Sequence, residues 1–282
     1  MTAVWKHELR SCVHSLSAWL YCAFMLAFVG VGAMLYNIQA AVANFEYVLS
    51  LVFIVPVLTM RSLAEERKQK TDQLLYSLPL KLWHIITGKY LALLAVFLVP
   101  LVIIAFYPLV FSQYGEVYLL TSYGSLLAFF LLGAALIAIG MFISSLTENQ
   151  GFAAGIGIVA LLLNYYSVSL AEQVSATALG SFAVLLVLAL LLGVLIRHLT
   201  GSETVGFGVS IALMAVCGVV YFIDSSKFEG LVPDIMTKLS LFQRFTPFVN
   251  GVFDVTALVY DLTVIAFFLF LSVRSLEKRR YN

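Results

Sequence analysis

Residues able to carry covalent or metal chemistry are few in this sequence, and they form no known catalytic pattern. No His-Glu-x-x-His or Gly-x-Ser-x-Gly motif occurs, and there is no Cys-x-x-Cys pair. Neither the histidines nor the cysteines are grouped at metal-ligand spacing: they are His7, His14, His84 and His198, and Cys12, Cys22 and Cys217. The sequence therefore predicts no nucleophile, no metal site and no disulfide framework.

Paired carboxylates occur at Glu65 and Glu66, in the most polar stretch of the chain, residues 61–84. Intramembrane CaaX-type proteases use a Glu-Glu-x-x-x-Arg motif with partner histidines. Here Lys70 stands in place of the Arg, and no Phe-x-x-x-His sequence supplies the partners. The Gly-x-x-x-x-Gly-Lys-Ser/Thr phosphate loop is also missing, so we expect that the chain is not an enzyme and does not hydrolyse ATP itself.

The same stretch predicts a docking segment. Thr71 or Asp72 can cap a short helix, which Pro79 ends. This helix exposes three leucines, Leu74, Leu75 and Leu78. A solvent-facing loop gains nothing by exposing them unless protein or membrane covers them. The alternative is a solvated run of charges on lipid headgroups.

Three polar residues inside or beside apolar segments are candidates for a transport pathway. Asp254 and Asp261 are seven residues apart and share roughly one helical face, while Asn164 opens a polar stripe in another apolar run. Apart from these, the apolar runs contain almost no ionisable groups, which are costly in lipid and often functional. Structural alternatives stay open, because Asp254 can cap a helix and Asn164 can bond a neighbouring helix.

The elements that position these residues are membrane-spanning helices. Hydrophobic residues make up 62% of the chain and charged residues 11%, with a mean hydropathy of +1.02, values that a soluble domain does not reach. Long apolar runs without alternation favour helices over strands in lipid. We therefore predict an all-α, polytopic membrane protein with a single transmembrane domain over 1–282. Its eight predicted spans are 17–36, 47–63, 84–111, 122–146, 151–171, 176–198, 203–223 and 254–276.

The distribution of basic residues predicts the orientation. With the N-terminus in the cytoplasm, 13 of the 16 basic residues lie inside, and only Lys227, Lys238 and Arg244 lie outside. Both termini are therefore expected to be cytoplasmic, and the first apolar run is interpreted as a retained anchor. Amphipathic helices are expected along the interface at residues 1–16 and, on the outer side, within 226–250.

Several of these segments resemble type-2 ABC transporter permeases. The similarity lies in Glu65-Glu66-Arg67 with Thr71, Leu74-Leu75 and Leu78-Pro79, in Gly88-Lys89, and in Ser144-Ser145-Leu146-Thr147-Glu148-Asn149-Gln150. The ending from Asn250 to Arg280 resembles the gliding-motility-type branch of that family. Such permeases usually have six spans, so residues 176–223 look like an extra helix pair.

The resemblance implies two permease chains, identical or related, joined to two cytoplasmic ATPase subunits that bind ATP and Mg. It makes residues 62–83 a coupling loop, with Glu65, Glu66, Arg67, Thr71, Leu74, Leu75, Leu78 and Pro79 as contact residues. We expect an exporter in the bacterial cytoplasmic membrane. An almost uncharged pathway favours an amphipathic cargo, and the other expected partner is membrane lipid, with no nucleic acid.

Two other functions fit the sequence less well. A non-transporting scaffold or accessory subunit could use the same loop to recruit a cytoplasmic partner. A secondary transporter should carry intramembrane charges or broken helices at the midplane and show internal repeats.

Overall fold

The computed structural model describes residues 2–35, 45–70, 82–173, 177–200 and 202–281, and the regular structure of these residues is entirely helical. This confirms the predicted all-α class. The α-helices are α1 Thr2–Val13, α2 Leu16–Leu35, α3 Phe45–Lys68, α4 Leu82–Ile104, α5 Tyr107–Phe111, α6 Leu119–Leu146, α7 Gln150–Tyr165, α8 Ser167–Gln173, α9 Ala178–Thr200, α10 Glu203–Ile223, α11 Leu231–Leu239, α12 Thr246–Val249 and α13 Val255–Tyr281. Short 3-10 helices occupy Ser225–Phe228 and Gln243–Phe245.

Each predicted span coincides largely with helix, but the predicted count of eight is not confirmed. Five helical segments are long and apolar enough to cross a membrane: Leu82–Phe111, Leu119–Leu146, Ala178–Arg197, Glu203–Ile223 and Val255–Lys278. Two bent pairs, α1 with α2 and α7 with α8, raise the number to seven if each pair is one span. Helix α3 contains the predicted span 47–63 but ends in the charged sequence Glu65 to Lys68.

The chain divides into two compact units. The first comprises Met1–Leu162 and Arg244–Leu276, and α6 forms its centre, with 72% of its apolar window buried. Small residues let neighbouring helices approach closely. A Cβ atom added at Gly140 of α6 would lie 2.3 Å from Thr59 Oγ1 of α3, and one at Gly133 would lie 2.1 Å from the Phe97 ring of α4.

The second unit comprises Leu163–Gln243 and Glu277–Asn282 and is built around the antiparallel pair α9 and α10. The pair also depends on small residues, since a Cβ at Gly193 would lie 1.6 Å from Ser210 Oγ. Three aromatic rings pack together at one end of the pair, with centroids 4.5 to 6.0 Å apart: Phe182 stacks on Tyr221, and Phe228 meets both edge to face. Helix α11 lies within the predicted late amphipathic region, 226–250, and follows Gly230, whose φ of 71° is readily available to glycine.

Candidate functional site

The last two turns of α3 hold the described part of the predicted coupling loop. Arg61 and Glu65 form a partly exposed i,i+4 ion pair at 2.9 Å. Arg67 is buried, with 5% of its surface exposed. The helix ends at Lys68, and Lys70 closes the turn by donating its backbone N–H to the Arg67 carbonyl. Thr71, Leu74, Leu75, Leu78 and Pro79 lie outside the described residues.

Lys89 of α4 joins three helices at this end of the first unit. Its ammonium donates to Glu8 Oε1 of α1 at 2.9 Å and also to Glu66 Oε1 of α3. The Lys89 side chain is 2% exposed, whereas Glu8 and Glu66 keep 18% and 24%. A buried ammonium is stable only with such partners, and here two carboxylates supply them. We call Glu8, Glu66 and Lys89 the triad.

The triad closes the base of the predicted coupling loop. Within the predicted loop, residues 62–83, helix α3 ends at Lys68 and helix α4 begins at Leu82. The Lys89–Glu66 contact links these two helices directly. Glu8 extends the link to α1, which packs along α4. The triad therefore connects α1, α3 and α4 beside the end of α3 and the start of α4.

Ser144 of α6 bonds the backbone of α3 just before the charged turns. Its Oγ donates to the Met60 carbonyl at 3.1 Å and accepts from the amides of Leu63 and Ala64 at 3.3 and 3.1 Å. A side chain placed within the i to i−4 ladder is a recognised site of helix bending. Ser144 is fully buried, so α6 and α3 are fixed to each other at this turn.

The neighbouring residue connects α6 to the last long helix. The Ser145 carbonyl accepts a hydrogen bond from Ser275 Oγ of α13 at 3.1 Å. About one turn before Ser145 on α6, the ring of Phe142 packs against the ring of Phe268 of α13, with centroids 5.7 Å apart. The Ser-Ser step therefore bridges α3 and α13, a role that its resemblance to the family pattern did not reveal.

Sequence reasoning also missed the triad. The sequence patterns place Lys89 only beside Gly88 and among the cytoplasmic basic residues, and they give no role to Glu8. The signal that could have revealed it is the position of Lys89, the sixth residue of the predicted span 84–111. An ionisable group within a span requires a partner.

The two predicted pathway aspartates lie in different surroundings. Asp254 precedes α13, and its Oδ1 accepts from the Thr256 amide at 2.8 Å and from the Thr256 hydroxyl. The hydrogen bond from the Thr256 hydroxyl contributes most to holding the pKa of Asp254 below its ordinary value, and the bond from the Thr256 amide adds to this effect. Asp254 is thus placed as a helix cap.

Asp261, one to two turns into α13, is 6% exposed, and its Oδ1 has no hydrogen-bond partner among the described residues. The guanidinium carbon of Arg244 lies 4.0 Å from the centre of the ring of Tyr260, the residue before Asp261. Asp261 is therefore a buried polar centre in a membrane helix.

Asn164 ties the end of α7 to the segment after α11. Its Nδ2 donates to the Leu239 carbonyl at 3.3 Å, and its Oδ1 accepts from the Leu241 amide at 3.2 Å. These contacts match the structural alternative, an amide that bonds a neighbouring element.

The apolar helices and the interior polar contacts define a multi-pass membrane protein. A profile of the ABC-2 family transporter proteins matches residues 32–223, more than half of the chain. The chain belongs to this family of membrane transport components. The match includes the predicted coupling loop and the helix pair within 176–223. No curated protein matches the sequence.

Proposed function

We propose that the chain is the permease subunit of an ATP-driven ABC exporter and that residues 62–83 receive force from a cytoplasmic ATPase. The family match over residues 32–223 carries the proposal, because it includes this loop and the helices on both sides of it. We propose further that the chain belongs to the gliding-motility-type branch, which the segment from Asn250 to Arg280 resembles.

The proposed complex contains two permease chains, identical or related, and two ATPase subunits, which bind ATP and Mg. It lies in the bacterial cytoplasmic membrane with both termini of this chain inside. Because few charges lie within the spans, the cargo is expected to be amphipathic, with Asp261 as the polar contact best placed inside the helices.

The connections at the base of the loop support a route for the force. The triad joins α1, α3 and α4, so motion of the loop displaces these three helices together. Ser144 passes motion of α3 to α6, and the Ser145–Ser275 bond passes it to α13, which carries Asp261. Each link is a hydrogen bond or ion pair that includes a buried group, and hydrogen bonds weaken steeply when their geometry is disturbed.

The contact with the ATPase is assigned to Leu74, Leu75 and Leu78. Each large apolar side chain fully removed from water contributes about 1.5–3 kcal/mol. Charge pairs near the surface contribute only about 0–1 kcal/mol, so the partly exposed pair Arg61–Glu65 orients the contact rather than holds it.

The double variant Leu74→Asp, Leu75→Asp tests this assignment. It should detach or uncouple the ATPase, while Glu65→Gln weakens coupling and leaves the complex assembled. The measurements are co-purification of the ATPase and transport-linked hydrolysis in reconstituted vesicles. Lys227→Ala is the control, because Lys227 is exposed and far along the chain from the loop. A double variant with intact complex and full coupled hydrolysis would refute the loop as the drive contact.

Orientation has its own test in intact cells. In a background without Cys12, Cys22 and Cys217, Glu229→Cys should react with an impermeant maleimide, and Lys70→Cys should react only after the membrane is opened. The reverse pattern would invert the topology.

A further inference from the structure

We propose that the exposed basic face of α1 binds the headgroups of anionic lipids. The face consists of Lys6, His7, Arg10 and His14, all of which are exposed. The first three lie on α1 itself, and His14 continues its last turn, with its backbone N–H bonded to the Arg10 carbonyl. This site is separate from the proposed ATPase contact and does not depend on it.

Helical periodicity separates the charges of α1 by sign. At 100° per residue, Lys6, Arg10 and His14 lie within about 80° of one another, and Glu8 lies on the opposite side. Glu8 is the only acidic residue among the first 45. Because its carboxylate is bound to buried Lys89, the charged groups on the exposed surface of α1 are all basic.

The position of α1 places this face at the membrane boundary. Only two residues separate α1 from the apolar helix α2, and the two helices are bent by 68°. If α2 crosses the membrane, α1 therefore runs closer to the membrane plane than to its normal. The indole N–H of Trp19 donates to the Val13 carbonyl at 2.8 Å and so connects α2 to the end of α1 across the bend. The Trp19 side chain is 64% exposed. Tryptophan with such a half-polar setting is enriched at headgroup level.

These features favour lipid over a protein partner. If α2 crosses the membrane, a helix only two residues away lies beside the headgroups, and the cytoplasmic leaflet carries a negative surface potential. Each cationic side chain near such a surface contributes about fivefold to binding, and the attraction falls within a Debye length. Two fixed charges on one face, Lys6 and Arg10, are therefore sufficient for a marked lipid preference.

Lipid selectivity around Trp19 provides the test. The intact chain carrying Trp5→Phe and Trp83→Phe has Trp19 as its single tryptophan. This variant would be reconstituted in two sets of phosphatidylcholine nanodiscs. One set contains brominated phosphatidylglycerol and the other the same fraction of brominated phosphatidylcholine. Quenching of Trp19 fluorescence by bromine would be measured in each set. We expect stronger quenching by the brominated phosphatidylglycerol, with the difference reduced by high salt.

The double variant Lys6→Gln, Arg10→Gln should lower this preference by about fivefold for each side chain. The matched control is Lys227→Gln, Lys238→Gln, which removes two exposed lysines from the second unit and should leave the preference unchanged. Circular dichroism and the elution profile in detergent establish that each variant is folded.

Equal quenching by the two brominated lipids in the parent chain would overturn the proposal. So would a preference that survives in the Lys6/Arg10 variant. If that variant instead lost an ATPase subunit with no change in lipid selectivity, the basic face would be a protein contact. Because quenching is measured on the chain alone, failure of the ABC-exporter assignment would not alter the result.

Discussion

Replacement of Lys89 by methionine should release α1 from the first unit. Methionine keeps most of the apolar stem but removes the ammonium that two carboxylates share. Glu8 and Glu66 are then left facing each other in a site where they keep only 18% and 24% of their exposure. Breaking a buried ion pair costs about 3–5 kcal/mol, and the remaining water contact of the carboxylates places this case near 3 kcal/mol.

Cys12 provides a native reporter of this release, because it lies on α1 and is half-buried. In a background with Cys22→Ser and Cys217→Ser, the rate of its reaction with a maleimide measures how often α1 is undocked. If the whole cost of about 3 kcal/mol falls on docking, the rate should rise by about 100-fold.

A neutral triple variant separates charge from packing. Lys89→Met combined with Glu8→Gln and Glu66→Gln removes all three charges and should return the Cys12 rate most of the way to the parent value. If Lys89→Met alone left the rate within about twofold of the parent, the triad would not hold α1. If the triple variant were as reactive as the single one, the stem of Lys89 rather than its charge would matter.

Three further changes have defined outcomes. Gly140→Ala places a Cβ 2.3 Å from Thr59 Oγ1 and should lower the free energy of unfolding by about 1–3 kcal/mol. The control is Gly155→Ala, whose added Cβ meets no atom within 4 Å and should leave stability unchanged. Thermal unfolding in detergent compares the two variants. Because the pKa of Asp254 is lowered in the folded chain, the stability that wild type gains over Asp254→Ala should be complete above the ordinary value of 3.8. It should be lost as the pH falls from 3.8 through the lower pKa of the folded chain, and a difference that persists in still more acidic solution would exclude the carboxylate as its source. Asp261→Leu should fold and assemble normally but transport poorly in reconstituted vesicles, and normal transport would reduce Asp261 to an incidental buried residue.

Several features of this protein follow from its sequence alone. Apolar runs near the bilayer thickness require backbone groups to be satisfied within each segment, and so they become helices whatever their neighbours are. For the same local reason, the bounds of α6, α10 and α13 agree with the predicted spans to within a few residues at most ends. Caps are local as well, and Asp254 occupies the position at the start of α13 that its sequence context suggested.

Tertiary structure decided which of these helices meet and which polar groups they bury. Lipid and protein interior are equally apolar, so hydropathy cannot distinguish a central helix from a lipid-facing one. The windows of α6 and α10 have mean hydropathies of 2.7 and 2.2, yet 72% of the first and 11% of the second are buried. The triad and the Ser144 contact join residues 23 to 84 positions apart, and no periodicity within one helix specifies such a partner. They form because a buried ammonium or hydroxyl must be satisfied by whichever helix packing brings beside it.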